Sequence, residues 1–369
     1  MTRTLSWRLL AALLALLLVA AACGSDDEDS DTETESGAED TTEETAEETA
    51  EADEADSGDT EEAAAADDGY DRTDWPDSLV YGAVPAENAE DISTYVTPQI
   101  IADELGIEIE FIQAADYAGV IEGMVAENVD LGGFGGFSYV IATGAGADID
   151  VAGLWSDTTG DGLGDYRSYL ITQADNTEIN EPADLAGKNV CFVDPGSTSG
   201  FLFPSAALLS EGLDPSETSE DITPTFAGGH DASAIAVANG HCDAGFAYDT
   251  MVTEQLIDSG DLSGVIDEVE DENVNPDDAS VRIIWKSTPI AAPPLAYGNW
   301  LPENLREAII EVVTTKVNVD WAVANGYCES EETCPLADGP FWGYVQGDDS
   351  YFDGIRELCE LTGSARCEG

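Results

Sequence analysis

Hydrophobic positions along this chain follow two rhythms. Short alternating or wholly apolar runs predict strands at Ser78 to Val84, Ile107 to Ile112, Tyr169 to Thr172, Asn189 to Val193, Asp243 to Ala247 and Arg282 to Trp285. Another strand starts at Val129 to Leu131 and runs into glycines. Between them, Asp91 to Leu105 sets Ile92, Tyr95, Val96 and Ile100 near one face of a helix. Tyr117 to Val125, Ser199 to Leu209 and Ala232 to Ala238 read as shorter helices, and Leu185 to Lys188 as a loop. Strands alternating with helices predict an α/β fold with parallel sheets. Ligands of such sheets bind at the carboxyl ends of the strands, so the strand-end loops are where chemistry is expected.

The pattern changes upstream of Trp75. Arg3 and Arg8 precede an uncharged apolar run from Leu9 to Val19, too short for a comfortable membrane span and suited to an export signal over residues 1–22. Ala20-Ala21-Ala22 before Cys23 resembles a bacterial lipobox, in which the cysteine is lipidated and becomes the new N-terminus. Plain secretory cleavage at the same bond is the alternative. Residues 24–70 hold 22 acidic residues and neither Lys nor Arg. Such a segment cannot bury enough apolar surface to offset its ordering entropy. Residues 23–74 are therefore expected to be an anchor cysteine and a self-repelling acidic tether.

Charge narrows the function classes. The 369 residues carry 78 Asp and Glu against 11 Lys and Arg, a net charge of -67. Nucleic acid and anionic lipid surfaces are excluded as electrostatic partners, since both require basic side chains. Residues 73–369 alone hold 55 acids and 8 bases, so the excess belongs to the folded surface as well. Hydrophobic residues still make up 43%, enough for a core. Seven cysteines leave six once Cys23 is assigned to the anchor. In an exported domain we expect them to pair as Cys191-Cys242, Cys328-Cys334 and Cys359-Cys367, although six cysteines allow 15 connectivities. With two histidines and no C-x-x-C spacing, neither a metal site nor a cofactor is expected. The acidic segment Asp157 to Asp165 lacks calcium-loop spacing.

The candidate chemistry lies in Cys191-Phe-Val-Asp-Pro-Gly-Ser-Thr-Ser-Gly-Phe. A strand ends near Asp194, Pro195 and Gly196 turn the chain, and Ser197, Thr198 and Ser199 stand where a helix begins, followed by Gly200. Free N–H groups and the positive end of the helix dipole bind a tetrahedral oxyanion there without cationic side chains, and the hydroxyls add donors. A helix cap needs one such residue, not three. No Lys follows Gly200, which excludes a Walker phosphate loop. Gly228-Gly229-His230-Asp231 offers a ring N–H, with Asp231 orienting His230 or capping the next helix. Asp116-Tyr117 offers a phenol at another helix start. Ser197, His230 and Asp231 superficially form a hydrolytic triad, but no nucleophile elbow or oxyanion-hole motif accompanies them, and no enzyme is expected. Trp155, Trp285 and Trp300 are expected to be packing residues.

Taken in order and spacing, Asp116-Tyr117-Ala-Gly-Val-Ile-Glu-Gly-Met, Asp130 to Ser138, the Asp-Pro-Gly-Ser-Thr-Ser-Gly-Phe loop, Gly-His230-Asp and Ile284-Trp285-Lys286-Ser287 resemble the phosphate/phosphite/phosphonate-binding proteins of ABC transporters. The resemblance covers about residues 78 to 300; the C-terminal part with four cysteines looks less like the family core. It implies a type II periplasmic-binding-protein fold, in which two α/β lobes joined by a hinge close on ligand. Lobe one would be residues 75–170 plus 287–369, and lobe two residues 171–286. It implies ligand contacts from Tyr117, Ser197, Thr198, Ser199 and His230, and less directly from Phe134, Gly135, Ser138, Tyr166, Gly200, Asp231 and Asp249. Gly133, Phe134 and Gly135 would form a lobe-one loop.

Two departures bear on the ligand. The similar aminoethylphosphonate binders carry Tyr where Phe134 stands, and acids that receive the amine. One of those positions is Pro293 here and the other falls near Asp249. Phosphate, phosphite or a small alkylphosphonate fits better, with Phe134 facing a P–H or P–CH3 group. The implied protein is a monomeric extracytoplasmic lipoprotein that hands its oxyanion to an ABC permease and its ATPase. A ligand-presenting sensor, or a receptor for another oxyanion such as a sulfonate, are the alternatives.

Overall fold

The computed structural model describes residues 69–85, 96–157, 162–336 and 341–367. The export signal, Cys23, nearly all of the acidic tether, Asp91 to Tyr95 and residues 158–161 of the acidic loop lie outside them. The packed chain starts upstream of Trp75. Tyr70 lies 6.0 Å from the Trp75 ring, Arg72 stacks over that ring, and the Arg72 Nε donates to the Leu105 carbonyl at 3.2 Å.

The first lobe opens with β1 (Ser78–Ala83), α1 (Val96–Leu105), β2 (Glu108–Gln113), α2 (Tyr117–Val125), β3 (Leu131–Gly133), α3 (Gly136–Gly144) and β4 (Ile149–Trp155). After the short β5 (Asp165–Tyr166) the chain builds a second lobe. This contains β6 (Ser168–Gln173), β7 (Asn189–Phe192), α4 (Phe203–Ser210), β8 (Thr223–Phe226), α5 (His230–Ala238), β9 (Ala244–Tyr248), α6 (Leu256–Asp258), β10 (Val265–Asp267) and β11 (Val281–Lys286). It returns through β12 (Ile290–Ala291) and β13 (Pro294–Gly298) to α7 (Glu303–Lys316), α8 (Val319–Ala324), β14 (Tyr344–Val345) and α9 (Asp353–Thr362).

Each lobe holds one six-stranded sheet, ordered β14-β4-β13-β3-β1-β2 and β10-β11-β6-β9-β7-β8. The sheets are mixed rather than parallel. β13 runs antiparallel to β3 and β4, and β6 runs antiparallel to β9 and β11. Edge strand β14 also runs antiparallel to β4, while β13 and β6 are the strands that directly follow a crossing between lobes. A strand arriving from outside has no βαβ connection to impose parallel direction on it. The two crossings are tied together: β5 pairs with β12, the Ser168 N–H donates to the Ser287 hydroxyl at 2.9 Å, and Ser287 returns a backbone bond to Ser168.

Apolar side chains cover both faces of each sheet. In lobe one, Leu79, Ile100, Leu305 and Ile309 pack on one side, and Val120, Met124, Phe137 and Phe352 on the other. In lobe two, Ile171, Val237 and Ile283 lie opposite Phe192, Leu208 and Phe246. Burial on both faces explains why the central strands read as near-continuous apolar runs. Disulfides join Cys191 to Cys242, Cys328 to Cys334 and Cys359 to Cys367. Elements fall close to the predicted runs, with two shifts. The helix expected from Ala232 starts at His230, and the helix expected from Ser199 opens with a π-helical turn over Thr198–Leu202.

Candidate functional site

The loop after β7 is shaped by its own polar groups. Asp194 accepts from the Gly196 N–H at 2.7 Å and its carbonyl accepts from the Ser197 N–H at 2.9 Å, closing the Pro-Gly turn. Ser197 then caps the helix start, its hydroxyl oxygen accepting from the Gly200 N–H at 3.0 Å. Its carbonyl accepts from Leu202, five residues on, and that wide first turn is the π element. Gly200 is required by contact, since a Cβ there would collide with Val193. Burial raises the Asp194 carboxyl above its ordinary range.

Ser197, Thr198 and Ser199 are buried and line a cavity of about 330 Å³ between the lobes. Tyr117, the first residue of α2, reaches it from lobe one and shares a hydrogen bond with Ser197. Tyr166, from the crossing strand β5, pairs with the hydroxyls of Thr198 and Ser199. Burial pushes the Tyr166 phenol up to about 12 and that of Tyr117 higher still, so both remain protonated donors at neutral pH.

His230 is buried as the first residue of α5. Its Nδ1 lies 3.1 Å from the backbone N–H of Tyr248, and its Nε2 lies 3.3 Å from Ser197 Oγ. A backbone N–H can only donate, so Nδ1 accepts and the ring proton sits on Nε2, facing the cavity. Burial lowers the imidazole pKa to about 3, and the ring is a neutral donor. The expected role of Asp231 is thereby corrected. Both ring nitrogens are engaged elsewhere, the cap residue of α5 is Gly229, and no Ser-His-Asp relay forms.

Four helices begin at this cavity, two from each lobe. Tyr117 opens α2, Gly135 caps α3, Ser197 caps the π turn that leads into α4, and His230 opens α5; all four residues line the cavity. Their dipoles converge with positive ends inward. Among the described residues that line the cavity, none carries a charged side chain. The arrangement is a neutral cage of donors suited to a small oxyanion.

Of the remaining candidates, Phe134 and Gly135 line the cavity, and the lobes approach so closely that a Cβ on Gly135 would sit 3.0 Å from Thr198 Oγ1. Ser138, Gly200, Asp231 and Asp249 are not among the described lining residues. Ser138 is turned back on the α3 start, donating to the Gly135 carbonyl at 3.0 Å. Asp249 accepts from the Arg167 N–H at 2.9 Å, bracing the crossing. Sequence reasoning missed Tyr81, Thr97, Tyr248, Leu336, Phe341 and Tyr344, all of which line the cavity. It also assigned Trp155 to packing alone, whereas that ring faces the cavity between Phe341 and Tyr344. The aromatic run Phe341-Trp342-Gly343-Tyr344 was the available signal.

A family model described as ABC transporter, phosphonate, periplasmic substrate-binding protein matches residues 81–318. The phosphate-import protein PhnD of Mycolicibacterium smegmatis is 42% identical over 301 residues, covering 80% of this chain and 89% of that protein. The phosphonates-binding periplasmic protein of Escherichia coli is 29% identical, over 63% of this chain and 64% of its own length. In fold, the chain resembles PhnD1 of Prochlorococcus marinus, solved in complex with methylphosphonate, with a TM-score of 0.62 and 18% identity over 78% of this chain and 99% of that one. Two α/β lobes around a cleft form the type II periplasmic-binding-protein fold, and this chain belongs to the family of phosphonate-type periplasmic substrate-binding proteins of ABC transporters.

Proposed function

We propose that this protein captures a small phosphorus oxyanion (phosphate, phosphite or an alkylphosphonate) in the interlobe cavity, and delivers it as a monomer to an ABC permease and its ATPase. The observation that carries this reading is the convergence of four helix starts on Tyr117, Tyr166, Ser197, Thr198, Ser199 and His230, with no charged side chain among the described lining residues. Relatives named for phosphate import and for phosphonate binding support the choice of phosphorus over sulfur.

The oxyanion enters the open cleft and meets the Ser197 to Ser199 loop. Tyr117 and the α3 start then close over it from lobe one. Exclusion of water strengthens every hydrogen bond in the shell. Among the described residues no helix is long and apolar enough to cross a membrane, and we propose that lipidation of Cys23 holds the protein at the outer face of the cell membrane. Titration calorimetry with phosphate, phosphite, methylphosphonate, ethanesulfonate and nitrate tests the reading. Micromolar or tighter binding is expected for at least one phosphorus ligand. Binding confined to ethanesulfonate or nitrate overturns it.

A further inference from the structure

The proposed oxyanion shell uses only six of the residues that line the cavity. Its full volume of about 330 Å³ lies within the range of sites for small organic molecules, about 300–1,000 Å³. A phosphorus atom with four substituent atoms leaves much of that space unfilled. Beyond the donors the wall is mostly aromatic and aliphatic. The Tyr344 ring lies tilted against Trp155 at 4.8 Å, Trp155 tilted against Phe341 at 5.2 Å, and Phe341 meets Tyr166 edge-on at 6.3 Å. This row of rings runs without a break into the oxyanion shell, because Tyr166 is itself bonded to Thr198 and Ser199. Leu336 and Pro293 complete the wall. The Tyr344 hydroxyl is already paired with Thr97. Ordered water needs two to four polar partners, and this wall supplies few.

We infer that the site takes an R–PO3 ligand whose substituent R is an uncharged alkyl or aryl group lying along the Tyr166-Phe341-Trp155-Tyr344 wall. The inference rests on the phosphorus-oxyanion reading above and names its substrate class. Two of the four rings, Phe341 and Tyr344, lie outside the family match, which ends at residue 318. The Cys328–Cys334 bridge immediately precedes Pro335 and Leu336, tethering this part of the wall. An amine on R would find no carboxylate among the described lining residues. The shared R–PO3 head does not distinguish a phosphonate from a phosphomonoester.

Calorimetry on the exported domain decides the matter with phosphate, methyl-, propyl-, phenyl- and 2-aminoethylphosphonate, phenyl phosphate and ethanesulfonate. Affinity is expected to rise roughly fourfold per buried methylene, and phenylphosphonate or phenyl phosphate to exceed phosphate at least tenfold. The tighter of the two phenyl ligands identifies the source. Leu336→Ala is expected to weaken propylphosphonate several-fold more than it weakens phosphate. Phosphate or methylphosphonate as the tightest ligand, or 2-aminoethylphosphonate equal to propylphosphonate, overturns this inference and leaves the oxyanion reading standing. Ethanesulfonate binding with no phosphorus ligand bound overturns both.

Discussion

The backbone N–H of Phe137, in the first turn of α3, donates to the hydroxyl oxygen of Thr198 at 2.9 Å. The two residues belong to helical elements of different lobes and lie 61 positions apart. Thr198 therefore serves two purposes: it lines the interlobe cavity and it latches one lobe to the other. Thr198→Val keeps the shape but leaves the Phe137 N–H unpaired when the lobes close, at a cost of about 1–3 kcal/mol. Affinity for the best phosphorus ligand is expected to fall by roughly 10- to 100-fold. Small-angle scattering of the ligand-bound variant checks the closure, which should be less complete than in the parent.

Ser199→Asp introduces a carboxylate into a cage of neutral donors. Like charges at hydrogen-bond distance in a buried site repel strongly. Calorimetry is expected to detect no binding of any phosphorus oxyanion; retained micromolar affinity would remove the Ser197 to Ser199 loop from the site.

His230 gives a pH dependence with a definite sign. Its pKa falls from an ordinary 6.5 to about 3 on folding, because burial disfavours the charged ring. The unfolded chain takes up a proton as pH drops through 6.5, and the folded chain does not until about 3. Stability from this residue is fully present above pH 6.5 and is lost as pH falls toward 3, by an amount on the order of a few kcal/mol. Urea midpoints measured from pH 7 to pH 4 should fall more steeply for the parent than for His230→Gln.

The disulfides should differ in weight. Cys191–Cys242 closes 51 residues and links β7 to the bend just before β9, while Cys328–Cys334 closes 6. Loop entropy assigns them about 4 and about 2 kcal/mol. Replacing both cysteines of the longer bridge by serine is expected to lower the denaturant midpoint further. Replacing those of the shorter bridge should alter the fluorescence of Trp155, because Leu336 and Trp155 share the cavity wall.

The net charge of -67 opposes an incoming anion. Salt screens that repulsion over about 10 Å at 0.1 M. Stopped-flow association rates are expected to rise with ionic strength while dissociation changes little, since the bound ligand is held by buried neutral donors. A steep fall in association rate would point to cationic steering instead.

Local chemistry was legible from the chain itself. The strand, the Asp194-Pro195-Gly196 turn and the Ser197 cap form within a dozen contiguous residues, so their pattern carries their geometry. The helix start at Tyr117 was equally plain, because Asp116 caps it by accepting from the Gly119 N–H three residues on. His230 was found, but its orienting partner was not. Asp231 is adjacent in sequence, whereas the Tyr248 N–H arrives from the end of β9, 18 residues later. Ser138 braces the start of its own helix, a hydrogen bond that the resemblance did not imply.

The sequence by itself determined the α/β alternation, the acidic charge and the local geometry of the Ser197 to Ser199 loop, because binary pattern, charge and capping act between near neighbours. Tertiary structure decided what the loop faces. Only the fold brings four helix starts to one cavity, sets Phe137 against Thr198, and carries Phe341 and Tyr344 from the far end of the chain beside Trp155. It also reverses β6 and β13 against their neighbours where the chain crosses between lobes. Such contacts depend on how sheets and crossings are connected, and no window of contiguous residues encodes that.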